Sequence, residues 1–403
     1  MTTTTKETDS TTSNKNGYKK TKLGWIPKEW EVVSLGEYFD FKNGLNKEKE
    51  FFGFGTPIIN YMDVNKNSSL TKNKILGKVS LTKGEIKRFN IKKGDVFFTR
   101  TSETIEEIAF SSVLLEDVEN GVFSGFVLRA RPKSGNTLDI NYLKYCFSTY
   151  LARKEIMSKS SLTTRALTNG TLLSEVNLLL PPLPEQEKIA QILSTWDDAI
   201  AKQTDLIAQK EALKKGLMQE LLTGKKRLKG FTDKWKEVKL GEVLTFGSGK
   251  DYKHLNSGNI PVFGTGGFMT SVDDYLYDGD SVGIGRKGTI NKPIFLSGKF
   301  WTVDTLFYTH SFKNILPFYV YLKFQTINWK FYNEASGVPS LSKSTIEKIK
   351  ILLPALPEQQ KIATILSAAD TEIEKLKAQK SAIETQKKGL MQILLTGKVR
   401  VKH

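Results

Sequence analysis

One stretch of this chain occurs twice, and the two copies keep register from end to end. The first runs from Leu180-Pro181-Pro182-Leu183-Pro184-Glu185-Gln186 to Leu221-Leu222-Thr223-Gly224-Lys225. The second runs from Leu353-Pro354-Ala355-Leu356-Pro357-Glu358-Gln359 to Leu394-Leu395-Thr396-Gly397-Lys398. Matching residues stand 173 positions apart throughout, as Leu180 and Leu353 do, and Gly216 and Gly389. Each copy predicts one long helix. Pro184 and Pro357 suit a first turn, where a missing N–H costs nothing. Glu185, Glu187 and Glu358 sit where the helix dipole favours negative charge. Gly224 and Gly397, each followed by Lys, suit left-handed caps.

Between these ends the apolar residues fall three and four apart, as a coiled-coil-like seam. In the first copy the seam is Ile189, Leu193, Trp196 and Ile200; in the second it is Ile362, Leu366, Ile373 and Leu376. Gln203, Lys210, Lys380 and Lys387 interrupt it in the manner of a register device. A helix of about 38 residues is roughly 57 Å long. Two such helices most simply pack on each other. The pair is either a hairpin that staples two domains or a rigid spacer that sets the distance between two binding heads.

A second repeat precedes each helix. Trp30-Glu31-Val32-Val33-Ser34-Leu35-Gly36-Glu37 matches Trp235-Lys236-Glu237-Val238-Lys239-Leu240-Gly241-Glu242 at an offset of 205. Gly94-Asp95 matches Gly279-Asp280 at 185. The shrinking offset places extra residues in the first copy. The organisation is therefore a leader (1–22), a domain (23–180), a helix region (181–228), a second domain (229–353) and a second helix region (354–403). Branched and aromatic runs predict strands at Asp95–Thr99, Phe123–Arg129, Ile260–Phe263 and Phe300–Thr309. Helices are expected at Ile140–Lys154 and Phe318–Phe331. The fold class is α+β, built as an internal repeat of two diverged copies of one module.

The formal charge of +17 makes nucleic acid the first partner to consider, although the excess is spread along the chain. A single cysteine, Cys146, excludes an internal disulfide and suits a reducing compartment. It reads as a buried helix residue. With three histidines beside it, a Cys/His zinc site is not expected, nor is any other metal site. No apolar run is long enough for a membrane span. A cytoplasmic protein is expected.

Gly283-Ile284-Gly285-Arg286-Lys287-Gly288 matches GxGxxG, but a dinucleotide site needs a helix after it, and a turn and strand are expected there. A tight glycine hairpin is one alternative. A basic loop pressed on a phosphate backbone is preferred, because glycine permits close approach. No GxxxxGK[ST] loop is present. Pro181-Pro182 lacks the Asn or Asp that an amino-methyltransferase site would place before it. Carboxylates are scattered. The chain reads as one that binds and positions, with no catalytic residues. Candidate DNA contacts are Thr99, Arg100, Thr101, Ser102 and Arg165 in the first domain. In the second they are Lys250, Arg286, Lys287, Thr289 and Asn291. Arg and Lys suit guanine edges and phosphates, and Asn suits adenine.

The Leu-Pro-Pro-Leu-Pro-Glu-Gln opening of the helix at 180–186, the Leu-Leu-Thr-Gly-Lys close and the Trp…Leu-Gly-Glu start of each domain resemble the specificity subunits of Type I restriction–modification enzymes. The stretches at 94–100 and 285–290 are similar to the target-recognition domains of that family. The resemblance implies two such domains, each reading half of a split, asymmetric site in double-stranded DNA. It implies that the two helices pack antiparallel in a pseudo-twofold arrangement, set the gap and recruit two modification subunits, which bind S-adenosylmethionine and methylate adenine at N6. Restriction subunits using ATP and Mg would join them, and this chain would hold no cofactor. Two other readings are a stand-alone DNA-modifying enzyme and a coiled-coil scaffold with no DNA role. Methyl transfer without a partner would favour the first; absence of salt-dependent duplex binding would favour the second.

Overall fold

A computed structural model describes residues 16–135 and 137–402. Residues 1–15 of the expected leader lie outside the described residues. Tyr18–Thr21 pairs antiparallel with Gly24–Pro27, so residues 18–21 belong to the fold and not to a leader. The chain divides into two compact units, 1–201 with 381–403, and 202–380. Both divisions fall inside the long helices, Leu183–Leu221 and Leu356–Leu394, of 39 residues each. Each unit therefore owns one globular domain, the start of the helix that follows it and the end of the other helix. The expected helices, their length and their antiparallel packing all appear.

In the first unit the central sheet has the order Phe39–Asn43, Val127–Pro132, Val96–Thr99, Ser111–Leu114, Ser69–Leu70. Its last pair is parallel and the rest are antiparallel. In the second unit the sheet runs Thr245–Ser248, Leu306–His310, Ser281–Gly285, Ile294–Leu296, all antiparallel. The first four strands correspond in order and direction. A two-stranded ribbon completes each domain: Asn177–Leu180 with Glu31–Ser34, and Lys350–Leu353 with Lys236–Lys239. This ribbon brings the Trp-containing opening of the domain beside the start of its helix.

Several expected elements are broken. Phe123–Arg129 is two strands, Val122–Phe123 and Val127–Pro132, separated by a loop. Phe300–Thr309 splits likewise into Lys299–Thr302 and Leu306–His310. Ile140–Lys154 is interrupted after Cys146, because Thr149 caps a new helix by accepting from Ala152 N at 3.1 Å. Cys146 is buried in the first of these helices. Pro317–Phe324 ends before a separate turn at Trp329–Tyr332.

Each unit has a core that joins its domain to both helices. Trp30, Phe98, Tyr142 and Phe147 pack with Ile189 and Leu193 of the first helix and Leu394 and Leu395 of the second. Phe246, Tyr319 and Trp329 share a core with Leu221, Leu222, Ile362 and Leu366. The seam is buried at Ile189, Leu193, Ile362, Leu366 and Ile373, and only half-buried at Trp196, Ile200 and Leu376. Polar pairs take over there. In the second unit Gln203 Nε2 donates to the Leu376 carbonyl at 3.0 Å, Lys210 pairs with Glu372 at 2.7 Å, and Lys214 pairs with Asp370. Partner numbers fall as the first helix advances, so the two helices run antiparallel along this seam. Lys387 pairs with Asp197 in the first unit as Lys214 does with Asp370 in the second. The interruptions at Gln203, Lys210 and Lys387 thus specify register.

The repeated Pro-Glu-Gln has a structural purpose that dipole arguments miss. Glu185 is 0 % exposed. Its carboxylate accepts from Trp30 Nε1 at 2.8 Å and from Arg400 Nε and Nη2 at 2.8 and 2.9 Å. Glu358 accepts in the same way from Trp235 Nε1 at 2.9 Å and from Arg227 Nε and Nη2 at 2.8 and 2.9 Å. Each arginine lies just past a Gly cap, so the end of one helix clamps the start of the other. Gly397, at φ +68, could not be another residue: a Cβ would lie 2.5 Å from Pro27 Cδ. Gln186 and Gln359 then tie the helix start to the domain. Gln186 Oε1 accepts from Asp139 N, and Gln359 Oε1 from Leu316 N, at 3.0 and 2.9 Å.

Candidate nucleic-acid interface

The two groups of candidate contacts occupy one place in the fold. In the first unit the chain leaves strand Val96–Thr99 at Arg100 and continues as the short strand Thr101–Ser102. That strand pairs with Ala166–Leu167, which pairs in turn with Ser161–Leu162. Arg165, on the turn between the last two, reaches Glu103 at 3.0 Å. Residues 99–102 and Arg165, distant in sequence, are therefore brought together. In the second unit the chain leaves Ser281–Gly285 at Arg286, and Lys287 bridges to Ser340.

The backbone around the two arginines matches bond for bond. Arg100 N donates to the Phe126 carbonyl at 3.3 Å, and Arg286 N to the Thr305 carbonyl at 2.7 Å. The Arg100 carbonyl accepts from Thr168 N at 3.0 Å, and the Arg286 carbonyl from Leu341 N at 2.8 Å. Their side chains are anchored alike. Arg100 Nη1 donates to the Gly125 carbonyl at 2.8 Å, and Arg286 Nη1 to the Asp304 carbonyl at 3.4 Å. Gly125 and Asp304 each stand two residues before the strand that pairs with the arginine's own.

The surroundings differ. Arg286 borders an open cleft of about 590 Å³ with Ser248, Lys287, Asp304, Glu334, Ser340 and Lys343. Hydrogen bonds from Ser342 and Thr345 hold the Glu334 carboxyl below its ordinary range. Near Arg100 the exposed groups include the apolar Phe126 at 66 %, Leu162 at 58 % and Leu167 at 41 %, together with the Arg165–Glu103 ion pair. Arg100 itself is half-buried, and its Nε is enclosed with no partner among the described residues.

Two candidates are withdrawn by burial. Thr99 is fully enclosed, and its Oγ1 accepts from Phe110 N at 3.0 Å. Ser102 is buried, and its Oγ accepts from Thr104 N at 3.3 Å. Both hydroxyls satisfy backbone donors inside the domain and cannot meet a duplex. Lys250 and Asn291 are exposed and Thr289 half-buried, but none of the three lines the cleft. The Thr289 backbone folds against Gly285, where a Cβ would lie 2.1 Å from the Thr289 carbonyl oxygen. After Gly288 no helix begins, so the GxGxxG stretch lacks the element that would hold a pyrophosphate. Among the described residues no group of three His, Cys, Asp or Glu side chains could hold a metal ion. Among them, too, no helix is long and apolar enough to cross a membrane.

The sequence profile described as "Type I restriction modification DNA specificity domain" matches residues 27–211 and 232–385. The chain belongs to that family. It is 28 % identical over 424 residues to a Methanocaldococcus jannaschii protein provisionally named as the MjaX type I restriction enzyme specificity subunit, covering 96 % of this chain and 97 % of that one. It is 25 % identical over 369 residues to the EcoprrI type I restriction enzyme specificity subunit of Escherichia coli, covering 85 % and 88 %. In fold it is similar to the S subunit of a Type I restriction–modification system from M. genitalium, at a TM-score of 0.57 and 18 % identity over 91 % of this chain and 96 % of that one. A chain from a structure of type I R-M complex assembly gives a TM-score of 0.61 at 16 % identity, over 93 % and 99 %. The family's specificity domain occurs twice here, once per unit, and the frame around Arg100 and Arg286 lies within both matches.

Proposed function

We propose that this chain is the DNA-reading subunit of a Type I restriction–modification complex in the cytoplasm, binding a bipartite, asymmetric duplex site. The domain at 23–180 reads one half and the domain at 229–353 reads the other. The observation that carries this is a repeated frame with unlike surfaces: the same strand ends and loops surround Arg100 and Arg286, but exposed Phe126, Leu162 and Leu167 with the Arg165–Glu103 pair lie near one, and an open cleft with Lys287, Glu334 and Lys343 borders the other. Matching frames give two equivalent readers, and unlike surfaces give two different half-sites. The spacer helices set the gap and present a docking surface for two modification subunits. Those subunits bind S-adenosylmethionine and methylate adenine at N6; restriction subunits, working with ATP and Mg, complete the assembly. This chain performs recognition and no bond chemistry.

Reconstitution tests this. Purified chain with S-adenosylmethionine and duplex DNA should transfer no methyl group, and adding the modification subunit encoded with it should start the transfer. Methylation by the chain alone, free of partner, would show it to be an enzyme in its own right. A chain that forms no complex with the modification subunit and binds no duplex at low salt would leave only a scaffold role.

A further inference from the structure

We propose that Arg100 and Arg286 are the paired base-reading residues of this protein, each holding its guanidinium against a guanine in its own half of the target. This rests on the DNA-reading function proposed above. Three observations support it. The first is positional: the backbone hydrogen bonds on both sides of each arginine are the same. Alignment on Gly94 and Gly279 would set Arg100 against Gly285. The hydrogen-bond frame instead sets it against Arg286, one residue on.

The second observation is what the chain does with its other arginines. Arg131, Arg165, Arg227 and Arg400 are in ion pairs. Arg129 and Arg153 donate to backbone carbonyls within the first domain. Arg88, exposed and lying over the Phe89 ring, has no carboxylate partner among the described residues, and neither do Arg100 and Arg286; of these three, Arg100 and Arg286 stand in the matched frame. The third observation is the anchor. A guanidinium carries five N–H donors in a fixed plane. One Nη1 contact to Gly125 or Asp304 restrains that plane and leaves the Nη2 donors for a ligand, although Arg100 Nε itself is enclosed. A fixed fork matches the O6/N7 edge of guanine in two hydrogen bonds at once, whereas a mobile ammonium suffices for a phosphate. Lys287, beside Arg286 in the cleft, suits the phosphate. The exposed Phe126, Leu162 and Leu167 near Arg100 suit apolar contact with a thymine methyl.

The test uses the full chain assembled with its modification subunits. The complex selects from duplexes randomised across both half-sites, and the bound fraction is sequenced. Arg286→Lys and Arg286→Met should lose discrimination for guanine at one position of one half by about 5- to 150-fold, the span of roughly 1–3 kcal/mol expected of a bidentate contact. Arg100→Lys and Arg100→Met should do so at one position of the other half. Preference retained in the untouched half shows that each variant is folded and assembled. Lys287→Ala should instead weaken binding on all sequences alike and lower the salt slope by about one. Arginine variants that behave like Lys287→Ala, that keep every base preference, or that both act on the same half would overturn the assignment. A wild-type complex that selects no two-part sequence would overturn the underlying function as well, and is recognised without any variant.

Discussion

Removing the Arg400 side chain should loosen the first unit, and restoring neutrality at Glu185 should partly undo the damage. Glu185 is buried, and its carboxylate has two donors to lose: the bidentate Arg400 and the Trp30 indole. Arg400→Met leaves a buried carboxylate with the indole alone. Breaking a buried pair from one side costs roughly 3–5 kcal/mol. The Arg400 side chain is 33 % exposed, so water can enter in its place, and about 2–3 kcal/mol is the appropriate figure. For a unit of this size each kcal/mol lowers Tm by roughly 2–4 °C. The transition that includes the first unit should therefore fall by about 4–12 °C. Glu185→Gln removes the charge but keeps an acceptor for Trp30 Nε1, and should cost about 1–2 kcal/mol. The double variant should be no less stable than Arg400→Met, because no buried charge remains unpaired. Calorimetry of the four proteins measures the coupling. Strictly additive losses, or an Arg400→Met protein that melts with the wild type, would refute the clamp.

Other perturbations separate the parts. Inserting four residues after Lys202 adds about one turn, or roughly 6 Å, to the first helix; if the assembly still methylates, the gap should lengthen by one or two base pairs while both half-sites persist, and an unchanged gap would mean that something else sets the spacing. Exchanging residues 23–180 for another recognition domain should rewrite one half-site only, as methylation mapping would report; a change in both would show that the domains do not read independently. Burial pushes the Lys323 ammonium, which donates to the Leu222 carbonyl, down to about 8. Between that value and the ordinary lysine pKa of about 10.4 the unfolded chain still binds a proton that the folded chain releases, so wild type should gain stability over Lys323→Met as pH rises from about 8 to 10. Parallel melting curves across that range would refute the assignment.

The long helices were legible because their signals are local and repeated: a proline opening, a seam, a glycine cap. Gly224 and Gly397 take φ of +73 and +68, as cap glycines should. What was not legible depends on partners far away in sequence. Glu185 suits a helix dipole on sequence grounds, yet its decisive partner, Arg400, is 215 residues on. Thr99 and Ser102 look like surface hydroxyls beside an arginine, but Phe110 N and Thr104 N claim them inside the domain. Arg100 and Arg286 were both visible as candidates. Their equivalence was hidden, because it is written in hydrogen bonds to residues 126, 168, 305 and 341 and not in the alignment of neighbouring glycines.

Two domains on one spacer make a single demand of the DNA. Methylation should be mapped base by base across the genome of cells carrying this gene with its modification subunit, and in matched cells lacking it. Methylated adenines are expected at one motif of two unlike halves separated by a gap of constant length, absent when the gene is removed. A continuous motif, a gap of variable length, or a methylation pattern unchanged by deletion would contradict this expectation.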